Sequence, residues 1–239
     1  MADLEDAVAP SEKEAAREVV AGVRPPVVRV NGADTRWFED DLALVRELEP
    51  DAIMLPKATP DAVAALGDAG PPVIALVETA AGVRAAFELA SAPRVEALLL
   101  GAVDLGAEVG LESRADGLEL LYARSKVVLD SAAAGIRPPF DVVHLDVRDD
   151  EGLEAECRLA RSLGLRGKAC IHPAQLAIVH RVFAPSETEV AWARKVVDAY
   201  RRETAEGRGV FALDGAMVDR PVVERARRVL AESGKERAQ

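Results

Sequence analysis

The sequence predicts an α/β fold in which parallel strands alternate with helices around one large core. Three observations carry this. Short β-branched or aliphatic runs recur, most of them beginning ~25 residues apart. Amphipathic segments lie between the runs. The runs are apolar almost throughout, as expected of strands covered on both faces. With 239 residues and 49% hydrophobic content, the chain can bury a core of barrel size in one domain.

Taken in order, Ala2 to Glu5 reads as the tail of a strand that begins before the chain does, because Glu5-Asp6 already stands at a strand-to-helix junction. Val27 to Val30, Ala52 to Leu55, Val73 to Val77, Ala97 to Leu100, Asp141 to Val143 and Gly167 to Ile171 follow as strands. Asp61 to Leu66, Ala80 to Ala90, Gly117 to Ala134 and Asp150 to Leu163 read as helices, with Ser, Asp or Pro near their starts and Gly near several ends. Connections this short require parallel strands and right-handed crossovers, which leaves a (β/α) barrel or a doubly wound sheet. Counting the N-terminal tail gives seven strands, one short of a closed eight. The rhythm then changes. Ser186 to Glu206 is a long polar-faced helix, Val210 to Met217 a short extended stretch around Gly215, and Arg220 to Ser233 a final helix. Residues 186–239 are therefore read as a lid-like extension of the same domain as the barrel, residues 1–185.

Composition excludes several functions. A formal net charge of −11 repels phosphate backbones, and no stretch clusters Lys and Arg with aromatics, so nucleic acid is not an expected partner. No apolar run reaches the ~18 residues of a membrane span, and Met1 to Asp6 is acidic where a signal peptide would be basic and then apolar. The cytoplasm is the expected compartment, with no membrane partner. Cys157 and Cys170 are too few for a disulfide framework and lack metal-ligand spacing, which suits small buried side chains in a reducing environment.

Active sites of parallel barrels lie at the carboxyl ends of the strands. Those ends carry Glu5 and Asp6, Arg29 and Asn31, Lys57, Glu78, Asp104, His144 with Asp146, and His172. A carboxylate on a buried strand tip costs several kcal/mol unless something shares its charge. Glu78 and Asp104 end consecutive strands, and two carboxylates with room for waters suit Mg²⁺. The competing reading is local: Glu78 capping the helix that starts at Thr79, and Asp104 capping the loop before Leu105. Arg29 is a planar fork suited to a carboxylate or a developing enolate oxygen, or else a structural ion pair with Glu5 or Asp6. Glu5 and Asp6 either hold metal-bound water and orient Arg29 and Lys57, or cap the helix entered near Ser11. Asp219, just before Pro221, fits an ordinary N-cap. His172 reads as a satisfied structural histidine, His180 as surface or packing, and His144 as part of the barrel wall.

These residues fall within Asp3-Leu4-Glu5-Asp6-Ala7-Val8, Val28-Arg29-Val30-Asn31, Leu55-Pro56-Lys57, Ala75-Leu76-Val77-Glu78-Thr79, Asp104-Leu105, Ile171-His172-Pro173 and Asp214-Gly215-Ala216-Met217-Val218-Asp219. In that order and spacing, end to end, the chain resembles the citrate lyase beta-subunit-like and malyl-coenzyme A lyase family. The resemblance implies a TIM (β/α)8-type barrel lacking its first strand and helix, with a C-terminal helical lid. It implies Mg²⁺ on Glu78 and Asp104, Arg29 on the substrate's oxygens, Asp219 as acid/base, and a homotrimer whose lids close over neighbouring barrels. Lys57 is placed with the substrate contacts, and Ala169 and Cys170 fall on a stretch that lines the family's pocket. The implied reaction is cleavage of a 3-hydroxyacyl-coenzyme A thioester, such as malyl- or citramalyl-coenzyme A, to an oxo acid and acetyl-coenzyme A, or its reverse.

Two departures accompany the resemblance. The family's first strand and helix carry a basic loop that contacts coenzyme A, and this chain starts after it; a start codon assigned inside a strand would explain that. Val103 stands where the family commonly has an acidic residue beside the metal-binding Asp. The alternatives are a citrate lyase beta subunit acting on a citryl group held by an acyl carrier protein, and a catalytically silent barrel that serves assembly or regulation.

Overall fold

The computed structural model describes residues 1–67 and 69–235, in two compact units, Met1–Val179 and His180 onward. In the first unit, strands β1 (Ala2–Asp3), β2 (Val27–Arg29), β3 (Ala52–Leu55), β4 (Val73–Val77) and β5 (Val95–Leu100) form one parallel sheet in sequential order. Single parallel bridges, Leu99 to Phe140 and Asp141 to Lys168, carry the order onward. The sequence-predicted strands Asp141 to Val143 and Gly167 to Ile171 thus shrink to isolated bridges. Strand order advances without reversal, whereas a doubly wound sheet reverses at its switch point. The order is that of the (β/α) barrel.

Helices α1 (Lys13–Val23), α2 (Phe38–Leu48), α3 (Pro60–Ala65), α4 (Ala80–Arg84), α5 (Ala86–Ala90), α6 (Ala102–Val109), α7 (Leu121–Ala134), α8 (Asp150–Leu163) and α9 (Leu176–Phe183) follow in chain order. The expected helix over Ala80 to Ala90 is broken at Ala85. Thr59, Thr79 and Asp149 cap α3, α4 and α8 through their side chains, each accepting a backbone N–H three residues on.

The strands are apolar on both faces for two different reasons. Val28, Val30, Ile53, Leu55, Ala75, Val77, Leu98 and Leu100 join the large core beneath the helices. The alternate residues Met54, Leu76 and Leu99 form a separate interior cluster with Ile74, Phe140 and Ala169. With a side-chain period of two, the residues directly beyond this interior layer are Glu78 after Leu76 and Gly101 after Leu99. The pattern that fills the barrel also aims a carboxylate at its mouth.

The second unit pairs α10 (Glu187–Ala205) with α11 (Arg220–Lys235), joined by the hairpin β6 (Phe211–Leu213) and β7 (Ala216–Val218). Ser186 and Glu189 form a reciprocal capping box at the start of α10. Asp214 and Gly215 turn the hairpin with φ of 52° and 81°, as a two-residue turn of the right-twisting kind requires. Trp192, Val196, Val197, Val218, Val223 and Ala226 pack its core. Among the described residues no helix is long and apolar enough to cross a membrane.

Candidate active site

The strand ends of the first unit converge on a charged layer. Asp3 and Arg29 are register partners on adjacent strands, so their side chains emerge side by side. Arg29 donates from Nε to Asp3 Oδ1 at 2.8 Å and from Nη2 to Asp3 Oδ2 at 2.5 Å, while Nη1 lies 3.0 Å from Glu5 Oε2. Burial opposes these charges. The Arg29 contact still holds the Asp3 carboxyl below its ordinary range, and Asp3 and Glu5 raise the guanidinium above its own. Two of the five Arg29 N–H groups are spent on Asp3 and Nη1 faces Glu5, which leaves two N–H groups for a ligand. Asp3 also accepts the backbone N–H of Glu5, which fixes the turn presenting Glu5.

Beneath this layer Lys13 is buried, with Nζ 2.6 Å from Leu4 O, 2.7 Å from Glu5 O and 2.7 Å from Asn31 Oδ1. Asn31 in turn donates its backbone and side-chain N–H groups to Asp41 Oδ2. This network holds the first two strand ends in place. Glu5 itself is buried and caps no helix, since the α1 N-terminus has no side-chain cap.

Glu78 is 4% exposed, and its Oε1 accepts the backbone N–H of Lys57 at 2.8 Å. Burial above all, then the Asp104 and Glu5 charges, push its carboxyl from 4.5 up to about 7 against the Lys57 donor. Lys57 presents that N–H from a left-handed backbone, φ 46°, uncommon for a residue with a Cβ. Its Nζ lies 3.3 Å from Glu5 Oε1 and 4.0 Å from Asp104 Oδ1. Burial works against the ammonium, but the charge and hydrogen bond of Glu5, with Asp6 and Asp104, raise its pKa. Asp104 sits in the first turn of α6, where the helix N-terminus favours a carboxylate.

The local readings of Glu78 and Asp104 do not hold. Thr79 caps α4, the Ala80 N–H goes to Glu108, and α6 has no side-chain cap. A buried carboxylate beside two others, with one backbone donor, is a poor resting state and a good hard-cation ligand. Among the described residues no three His, Cys, Asp or Glu side chains form a ready-made cage. Glu78 and Asp104 fit an ion that keeps several waters or shares its shell with a substrate.

The remaining expected residues are dispersed. Asp6 is exposed and reaches Arg29 and Lys57 only through its charge. Ala169 packs on the interior cluster, and Cys170 Sγ contacts Lys168 O at 3.7 Å. Asp219 belongs to the second unit, where its Oδ1 accepts the Val222 N–H at 3.2 Å as a helix cap does. His172 caps the turn at Pro173, His180 is exposed, and His144 Nδ1 lies 3.0 Å from Glu156 Oε1. Cys157 is buried, and its thiol is pushed up to about 11 by that burial. Asp3 and Lys13 were missed by sequence reasoning. Asp3 was visible as the residue two before Glu5 on the same strand face, but the bond from Lys13 back to the strand end had no local signature.

A family model described as HpcH/HpaI aldolase/citrate lyase matches residues 1–173. The chain belongs to this family. A second model, a C–C bond lyase of the TIM-barrel fold, matches residues 122–234. A (3S)-malyl-CoA thioesterase of Cereibacter sphaeroides is 39% identical over 97% of this chain and 85% of its own length. The citrate lyase subunit beta of Leuconostoc mesenteroides subsp. cremoris is 38% identical over 96% of this chain and 83% of its own. Among solved structures, the protein CitE of Mycobacterium tuberculosis, in complex with magnesium, acetoacetate and coenzyme A, superposes with a TM-score of 0.84 at 40% identity, covering 97% of this chain and 88% of that one. Family membership turns the charged layer at the strand ends into the place to look for chemistry.

Proposed function

We propose that this protein is a magnesium-dependent carbon–carbon lyase that cleaves a 3-hydroxyacyl-coenzyme A thioester of the malyl or citramalyl type to an oxo acid and acetyl-coenzyme A, or catalyses the reverse condensation. The observation that carries this is Glu78: a buried carboxylate at the barrel mouth, raised to about 7 by burial and by Asp104 and Glu5. The M. tuberculosis relative bound to magnesium, acetoacetate and coenzyme A supports the ligand classes.

Glu78 and Asp104 would hold Mg²⁺, which supplies Lewis-acid polarisation of the substrate's hydroxyl and carboxylate oxygens. Glu5, tied to Arg29 and Lys57, keeps both cations at the mouth. Arg29, oriented by Asp3, offers its remaining N–H groups to the thioester oxygen, where negative charge grows as the carbon–carbon bond breaks. The hydroxyl proton leaves to solvent as the oxo group forms and the carbon–carbon bond breaks. Asp219 is the acid that gives one proton to the α-carbon of the departing enolate, so protons balance, and in condensation it is the base that removes that proton. The active assembly in this reading is a homotrimer.

Release of acetyl-coenzyme A from malyl- and citramalyl-coenzyme A, with and without Mg²⁺, tests this directly. Metal-dependent turnover, abolished in Glu78→Ala, is expected; free coenzyme A in place of acetyl-coenzyme A would replace the lyase with a thioesterase, the activity named for the C. sphaeroides relative. Activity only on a citryl group carried by an acyl carrier protein would instead match the Leuconostoc subunit. Trimers without turnover on any of these would leave the silent barrel.

A further inference from the structure

We infer that the Lys57 ammonium is an exchangeable counter-cation of the carboxylate layer: it neutralises Glu5 and Asp104 in the metal-free protein and yields that place when a divalent cation binds, turning toward the anionic end of the substrate. This rests on the reading of Glu78 and Asp104 as the metal ligands.

Three lysines of the first unit meet carboxylates or carbonyls at or below the strand ends, and two of them are locked. Lys13 is 5% exposed with three oxygens at 2.6 to 2.7 Å. Lys168 has no exposed side-chain surface and lies 3.0 Å from Asp141 Oδ2 and 2.7 Å from Glu156 Oε2. Lys57 differs on every count. Its side chain is 47% exposed, its contact to Glu5 is 3.3 Å, and its approach to Asp104 is 4.0 Å, too long for a hydrogen bond. Among the described residues, charge and one long hydrogen bond, to Glu5, are all that hold the ammonium.

The backbone of the same residue is held. Its left-handed φ of 46° and the 2.8 Å bond from its N–H to Glu78 Oε1 fix the amide whatever the ammonium does. One residue therefore performs two separable tasks: the amide positions the metal carboxylate, and the ammonium stands in for the metal's charge. A divalent cation between Glu78 and Asp104 would repel a nearby ammonium and attract Asp104 more strongly. Four flexible methylenes let Lys57 leave at small enthalpic loss. Its natural new partner is the carboxylate that an oxo acid brings to the same mouth.

Removing the ammonium should therefore tighten metal and loosen oxo acid, opposite signs that a merely structural lysine would not produce. Mn²⁺ binding to the full chain, read by electron paramagnetic resonance, is expected to be roughly two- to fivefold tighter in Lys57→Met than in wild type, with the gap narrowing at high salt. Pyruvate binding in the presence of metal is expected to weaken in the same variant. Lys57→Arg, which keeps the charge, should bind Mn²⁺ as wild type does. Unchanged or weaker metal binding in Lys57→Met, or equal tightening in Lys57→Arg, overturns the inference while leaving the metal site intact. Wild-type protein that binds no Mn²⁺, or binds it equally well as Glu78→Gln, overturns the reading of the site and the inference with it.

Discussion

Glu78 and Gly101 share one slot between neighbouring strands: a Cβ on Gly101 would lie 2.5 Å from Glu78 Cβ and 2.9 Å from its Oε2. The register that pairs Val77 with Leu100 sets these two residues side by side. Glycine here makes room for a carboxylate, at a backbone geometry that any residue could adopt, φ −109°. Gly101→Ala should therefore push the Glu78 side chain aside. The expected result is a folded protein destabilised by about 1–3 kcal/mol, with metal affinity reduced at least tenfold, measured by urea unfolding and metal titration. Alanine with unchanged metal affinity would show that Glu78 has slack this geometry does not suggest.

The raised pKa of Glu78 sets a pH signature. Folded protein holds this proton more tightly than unfolded chain, so its contribution to stability is fully present below about 4.5 and lost as pH rises through about 7. The ionised side chain then costs roughly 3 kcal/mol in metal-free protein. In EDTA, Glu78→Gln should match wild type near pH 4.5 and exceed it in stability at pH 8, and saturating Mg²⁺ should remove the difference. Metal must also displace the proton below pH 7, so affinity should fall about tenfold per unit there. A stability gap independent of pH would show that Glu78 titrates normally.

Away from the mouth, Asp141 is fully buried between Arg124, at 2.8 and 3.2 Å, and Lys168, at 3.0 Å. It also belongs to the bridge that continues the sheet. Asp141→Ala leaves two buried cations short of a partner and should destabilise the first unit by about 3–5 kcal/mol. Thermal unfolding would register this as a large drop in midpoint. A change under 1 kcal/mol would mean that Glu156 suffices for Lys168 and the Gly117 carbonyl for Arg124.

How much of this was legible beforehand follows from where the information lies. The strand-end residues Glu5, Arg29, Lys57, Glu78 and Asp104 were readable because a parallel strand and its crossover leave a local imprint, an apolar run and then a polar tip. The α1 helix is readable from its entry near Ser11, but α2 and α6 are not marked: α2 carries the usual periodicity in Phe38, Leu42, Val45 and Leu48, whereas α6 buries only Leu105 and exposes Val103 and Val109. The two final strands were overestimated because Asp141 and Lys168 meet in a bridge whose neighbours turn away after one residue. Invisible from sequence were relations across strands: Arg29 choosing Asp3 over Asp6, Gly101 yielding to Glu78, and the Lys57 amide reaching Glu78. Each depends on register, which one chain segment does not encode.

Arg29 illustrates what such a relation should mean in practice. Lysine in its place keeps one charge but loses the planar fork that meets both Asp3 oxygens. Arg29→Lys should leave the sheet intact, free Asp3 from its two bonds, and lower kcat/KM about a hundredfold with little change in metal affinity. Steady-state kinetics beside metal titration separates the two quantities. Equal losses in both would place Arg29 among the supports of the metal site rather than at the substrate.

Asp219 is the residue for which an ordinary structural role and a chemical role make separable predictions. Its Oδ1 bonds the Val222 N–H, and its carbonyl accepts from Val223, so it caps α11 whatever else it does. Asparagine is as good a cap as aspartate, but it cannot exchange a proton. Asp219→Asn should therefore unfold within about 0.5 kcal/mol of wild type, whereas Asp219→Ala should lose about 1 kcal/mol. If Asp219 is the acid/base residue, both variants should lose turnover by roughly 10²–10⁴-fold. If it is only a cap, Asp219→Asn should retain nearly full activity and Asp219→Ala should lose activity only in proportion to its stability. Acetyl-coenzyme A release and urea midpoints measured on the same preparations decide between the two.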